Sequence, residues 1–113
     1  MLAETDTQTE WESVCALYDI TPYTGVCALV GEEHVAVFRT SDEQLYAVQN
    51  YCPFGKASVL SRGLVGTVGA KTVVASPLYK QQYDLATGVC LDDPSIILKT
   101  FAVRLNNGMV QVK

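Results

Sequence analysis

Apolar residues in this chain fall in short runs cut by turns rich in glycine, asparagine and acidic residues. Val26–Val30 and His34–Arg39 flank Gly31-Glu32-Glu33, the pattern of a β-hairpin. Ser41-Asp42-Glu43-Gln44 reads as a turn into a strand over Leu45–Gln49, in which Leu45 and Ala47 face one side and Tyr46 and Val48 the other. Thr72–Ala75 is a short apolar strand, and Gln82–Leu85 is another, closed by the turn Ala86-Thr87-Gly88. Near the end, Thr100–Leu105 places Phe101, Val103 and Leu105 on one face as core candidates. Asn106-Asn107-Gly108 then tolerates the positive φ of a tight turn, and Met109–Val112 returns. No window repeats apolar residues at the helical spacing for long enough to make a substantial helix. Short strands at regular spacing predict an all-β fold, a sandwich or small barrel. Residues 1–9 lack periodicity and read as a flexible tail, with order beginning near Trp11 in a single domain over 10–113.

Composition narrows the function classes. A chain of 113 residues, 49% hydrophobic and 18% charged, is globular and long enough to bury a core without disulfides. A net charge of -4 argues against nucleic acid and against an anionic membrane surface, both of which select clustered Lys and Arg. No run approaches the ~20 apolar residues needed to span a bilayer, and the polar start of the chain does not resemble a signal peptide. Cys15, Cys27, Cys52 and Cys90 form no C-x-x-C pair and no zinc spacing. The expectation is a cytoplasmic protein with reduced thiols.

Two segments share a theme: NYCPFGKASVLSRG (50–63) and ASPLYKQQYDLATG (75–88). Each follows a strand and carries an early proline and an aromatic residue. Asn50, Cys52, Pro53 and Gly55 resemble the first loop, C-P-H-x-G, of Rieske-type ferredoxin domains. Pro77 matches the second loop, C-P-x-H, and Tyr83-Asp84-Leu85-Ala86-Thr87-Gly88 matches the strand that continues it. The resemblance implies a Rieske-like [2Fe–2S] ferredoxin-type β fold. In such a centre two cysteines hold one iron and two histidines the other. Cys52 falls on the first cysteine, but Phe54, Ser76 and Tyr79 fall on the other three ligand positions. A phenyl ring cannot ligate iron, and serine or tyrosine is a poor substitute for thiolate or imidazole here. The resemblance therefore implies a frame without its cluster, and this chain is expected to carry no metal or cofactor.

A narrower resemblance covers nearly all of 11–113. Thr24-Gly25-Val26-Cys27-Ala28-Leu29, Ser58-Val59-Leu60-Ser61-Arg62-Gly63-Leu64 and Ala75-Ser76-Pro77-Leu78 are similar to the small subunit of NAD(P)H-dependent assimilatory nitrite reductase. That family implies an accessory role with no catalytic residue of its own. The partner is a large subunit carrying flavin (FAD), sirohaem and an iron–sulfur cluster, which reduces nitrite to ammonium in nitrate assimilation. The competing readings are a cofactor-free Rieske-like module of another reductase or oxygenase, and a [2Fe–2S] carrier with unusual ligands, against which the ligand count speaks.

Other residues are given plainer roles. Cys52 is expected to pack, since no neighbouring His or paired Cys is visible to activate it. His34, the one histidine, reads as a solvated strand-end residue with no Cys/His pairing around it. Asp92-Asp93-Pro94 reads as a turn, and Gly63, Gly66 and Gly69 do not make a phosphate loop. Tyr79 to Tyr83 alternate like a rim strand. Phe54, Leu78, Tyr79 and Lys80 are the candidates for a partner interface; their apolar members either plug the former site or expose a docking patch.

Overall fold

The computed structural model describes residues 11–40, 44–53, 56–78 and 80–113. The expected tail over 1–9 and the turn residues Ser41–Glu43 lie outside them. Among the described residues twelve strands follow in chain order: β1 (Glu12–Ala16), β2 (Thr24–Val30), β3 (Glu33–Arg39), β4 (Leu45–Gln49), β5 (Tyr51–Cys52), β6 (Ala57–Ser58), β7 (Leu64–Val68), β8 (Lys71–Ala75), β9 (Gln82–Asp84), β10 (Thr100–Phe101), β11 (Val103–Asn106) and β12 (Met109–Val112). Among the described residues the helical elements are single 3-10 turns, Leu17–Asp19 and Leu60–Arg62.

The centre is an antiparallel sheet in the order β10-β4-β3-β2. Its strands β3 and β4 are buried on both faces, which is why β3 reads as the continuous apolar run Val35–Phe38. Alternate side chains enter two different cores. Val35, Val37 and Ala47 pack with Leu17, Ile20, Val110 and Val112 under the sheet β1-β12-β11. Ala36, Phe38 and Val48 pack on the opposite face with Cys52, Leu60, Val74, Tyr83, Leu85, Cys90 and Leu98. The second core sits beneath the sheet β7-β8-β9 and the small hairpin β5-β6, the unit that carries both segments with the shared theme. The opposed facings read for β4 hold, Leu45 packing on the first core and Tyr46 on the second.

The segment Thr100–Leu105 is not one strand. At Ala102 the chain leaves the central sheet, where Phe101 is opposite Ala47, and joins the other, where Val103 is opposite Val112. Ala102 and Lys113 exchange backbone hydrogen bonds of 3.2 and 3.0 Å at the switch. Phe101 and Val103 pack half-buried against the first core, but Leu105 is 39% exposed and is not a core residue. It lies opposite buried Val110, on the edge strand of its sheet, where neighbours cover a side chain from one side only.

A loop pair around Cys52 and Ser76

The first loop is fastened by Asn50, which is buried and has every polar group engaged. Its backbone N–H donates to the His34 carbonyl (2.9 Å), and its carbonyl accepts the Leu60 N–H (3.0 Å). Its side-chain Oδ1 accepts the Ser61 N–H at 2.7 Å, while Nδ2 donates to the Ser58 carbonyl at 3.1 Å and the Cys27 sulfur at 3.4 Å. A buried amide so completely paired stiffens what it touches. From this anchor β5 runs to Cys52, and the Lys56 N–H returns to the Cys52 carbonyl at 2.7 Å.

The second loop closes between β8 and β9. The Ser76 N–H donates to the Gln81 carbonyl (2.8 Å), the Lys80 N–H donates to the Ser76 carbonyl (3.0 Å), and Lys80 takes a left-handed φ of 63°. Lys80 and Gln81 are thus part of the turn and not of a rim strand, which starts at Gln82. Beyond β9, the turn through Ala86-Thr87-Gly88 needs its glycine. Gly88 has φ +84°, and a Cβ there would lie 2.3 Å from the Leu98 carbonyl oxygen. Gly63 lets the end of the first loop approach the second, since a Cβ would lie 2.4 Å from the Ala75 oxygen.

The two loops meet inside the protein. Cys52 Sγ lies 3.3 Å from Ser76 Oγ and 3.8 Å from the Tyr83 hydroxyl, and all three residues are buried. Ser76 Oγ also accepts the Leu78 N–H at 3.3 Å. Burial, and after it the bond to Cys52, pushes the Tyr83 phenol up from its ordinary range, so it is a neutral hydrogen-bonding group. Cys52 packs in the second core, and Cys15, Cys27 and Cys90 are free thiols.

Among the described residues, the side chains of the other candidates do not join this buried contact. Leu78 and Lys80 are exposed, whereas Phe54 and Tyr79 lie outside the described residues. Asp93 accepts from the Ser95 N–H and hydroxyl, as a turn residue does, and the Ser95 hydroxyl and then its backbone hold the Asp93 carboxyl below its usual value. His34 is exposed on β3, but the absence of a Cys/His pairing around it is corrected: Cys27 Sγ lies 3.9 Å from His34 Nδ1. The hairpin register places Leu29 opposite His34 and Cys27 opposite Ala36, so the two side chains are diagonal neighbours across β2 and β3. Leu64, which the sequence did not single out, is 79% exposed. It faces Ala75 across β7 and β8, one residue before Ser76.

The model of the Rieske-like [2Fe-2S] domain matches residues 10–113. The Escherichia coli (strain K12) nitrite reductase (NADH) small subunit is 43% identical over 92% of this chain and 97% of its own length. The chain belongs to the Rieske-like family, among the nitrite reductase small subunits. The solution structure of the nitrite reductase [NAD(P)H] small subunit from Erwinia carotovora superposes on this Rieske-like chain with a TM-score of 0.78 at 48% identity, covering 91% of this chain and 80% of that one. In Klebsiella oxytoca a region of 40% identity, spanning 90% of this chain, occupies 11% of a nitrite reductase [NAD(P)H] large subunit.

The residues of this Rieske-like domain do not fit the family's cluster. Two thiolates on one tetrahedral metal, each about 2.3 Å from it, stand ~3.8 Å apart. The Cys52–Ser76 pair keeps nearly that spacing but offers one sulfur and one hydroxyl. No imidazole occupies either histidine position, and among the described residues no three His, Cys, Asp or Glu side chains gather as a metal site.

Proposed function

We propose that this chain is a cofactor-free small subunit of an NAD(P)H nitrite reductase and acts in the cytoplasm. Its large subunit would carry the FAD, sirohaem and iron–sulfur cluster that reduce nitrite to ammonium. The observation that carries the reading is the near end-to-end match to nitrite reductase small subunits, combined with a Cys52–Ser76 pair that leaves the family's cluster without a full ligand set. The occurrence of the same domain inside a longer chain named as a large subunit supports a lasting association between the two.

The two former cluster loops are proposed as the docking face, formed by Leu78 and Lys80 together with Phe54 and Tyr79. Leu78 is 45% exposed, and exposed Leu64 lies at the same end of β7 and β8, which supports a docking patch over a plug. Apolar side chains left open at a loop are what a protein partner covers. The buried contacts among Cys52, Ser76 and Tyr83 beneath join the two loops.

The test is reconstitution. Purified large subunit, with and without this chain, is assayed for binding and for nitrite-dependent oxidation of NAD(P)H. A stable complex with raised ammonium formation supports the reading, and no association removes it. The double replacement of Leu78 and Tyr79 by serine should weaken the complex by about 1–3 kcal/mol, as hot-spot truncations do, while the isolated chain melts nearly as before.

A further inference from the structure

We infer that Ser76 is a positioning residue for docking: from the place of a missing ligand it holds the Leu78 end of the second loop in the shape that the large subunit receives. The inference rests on the reading of the loops as the docking face. Ser76 is 1% exposed, and its N–H, carbonyl and hydroxyl all serve the loop geometry. The backbone groups close the loop on Gln81 and Lys80. The hydroxyl accepts the Leu78 N–H at 3.3 Å and meets the first loop at Cys52 Sγ, also at 3.3 Å.

The chemistry suits serine. A hydroxyl carries one proton and two lone pairs, so it can accept from Leu78 and still pair with a sulfur. A cysteine bound to iron commits its sulfur to the metal, and there the metal joins the two loops. In this chain the contact between Ser76 and Cys52 makes that join, and the same oxygen fixes the backbone of the residue that presents the exposed leucine. Loss of the hydroxyl would leave β8 in place, because Val73 and Val74 are buried and the strand pairs through its backbone with β7 and β9. It would free the backbone at Leu78. The effect should therefore appear in docking, ahead of global stability.

The experiment compares Ser76→Ala, Ser76→Cys and Leu78→Ser for affinity to the purified large subunit, for urea unfolding, and for amide hydrogen exchange at Leu78. Ser76→Ala should speed exchange at Leu78 and weaken binding roughly 3- to 10-fold, the span of one hydrogen bond. Ser76→Cys, kept reduced and with chelator present, should bind within roughly twofold of the parent, since sulfur can still accept the N–H. Val74→Ala serves as a control that destabilises the same core without touching the loop. Unchanged affinity for Ser76→Ala, with Leu78→Ser weakened, overturns the positioning role and leaves the docking face standing. Unchanged affinity for Leu78→Ser overturns both. A loss in Ser76→Ala no greater than that of Val74→Ala at equal destabilisation also overturns the positioning role.

Discussion

Removing the Cys52 sulfur should test how the former cluster position is now held. Cys52→Ala deletes one fully buried heavy atom, worth about 0.8 kcal/mol by comparison with a methylene. It also leaves the buried Tyr83 hydroxyl without the sulfur at 3.8 Å, and an unsatisfied buried hydroxyl costs about 1–3 kcal/mol. The Ser76 hydroxyl still accepts the Leu78 N–H but loses the sulfur at 3.3 Å as a partner for its own proton, a loss shared by every variant that lacks the sulfur. The single substitution should therefore cost at least about 2–4 kcal/mol. Tyr83→Phe removes the hydroxyl itself together with one long contact, for about 0.5–1.5 kcal/mol. In the double variant the tyrosine hydroxyl is no longer stranded, so it should be more stable than Cys52→Ala alone, with a coupling of about 1–3 kcal/mol. Urea unfolding of the four proteins measures this cycle directly. Additive losses would refute the pairing of hydroxyl and sulfur. In the reconstituted enzyme, Cys52→Ala at saturating concentration should still support nitrite reduction. Lost turnover with an intact complex would mean that the thiol does chemistry.

Alkaline pH should act through the same tyrosine. A folded state that raises the phenol's pKa holds its proton more tightly than the unfolded chain, so this advantage is complete below the free-tyrosine value of about 10 and is lost as pH climbs through the folded value. Stability should fall above about pH 10, and Tyr83→Phe should flatten the fall measured by unfolding at a series of pH values. Thiol labelling of the native protein should reach exposed Cys27 first and spare buried Cys52 and Cys90 until unfolding, with half-buried Cys15 slowed by burial and then by Asp19, which raise its pKa; early labelling of Cys52 would contradict the closed loop pair. Gly88→Ala should destabilise the domain by more than about 1 kcal/mol in urea, because alanine is strained at φ +84° and its Cβ meets the Leu98 oxygen.

Much of the central sheet was legible because its order is written in local alternation. Tyr46 and Ala47 face opposite cores, as a period of two requires, and the β2–β3 hairpin pairs through the turn its glycine marks. The polar outer strand β1 gave no such signal, and Gly66 interrupts the apolar pattern of β7. The sheet switch at Ala102 was hidden as well, since a strand that changes partners keeps its alternation. At the site, the residue types at the ligand positions could be read in the chain, and so could the Tyr83–Gly88 continuation. The contacts that hold the site could not. Asn50 gathers Cys27, His34, Ser58, Leu60 and Ser61 from separate elements, and the Cys27–His34 proximity exists only once β2 and β3 pair. Exposure of Leu64 and of Leu105 depends on which strands are edges, a property of the whole topology.

The central claim is that a Rieske-like frame works here without its cluster, as a docking subunit. The most direct measurement titrates the purified chain, with its iron and acid-labile sulfide quantified, into purified large subunit while following ammonium production from nitrite. The account predicts a chain free of iron and sulfide that saturates the large subunit and raises its turnover. Turnover that rises only in proportion to iron and sulfide carried on this chain would contradict it.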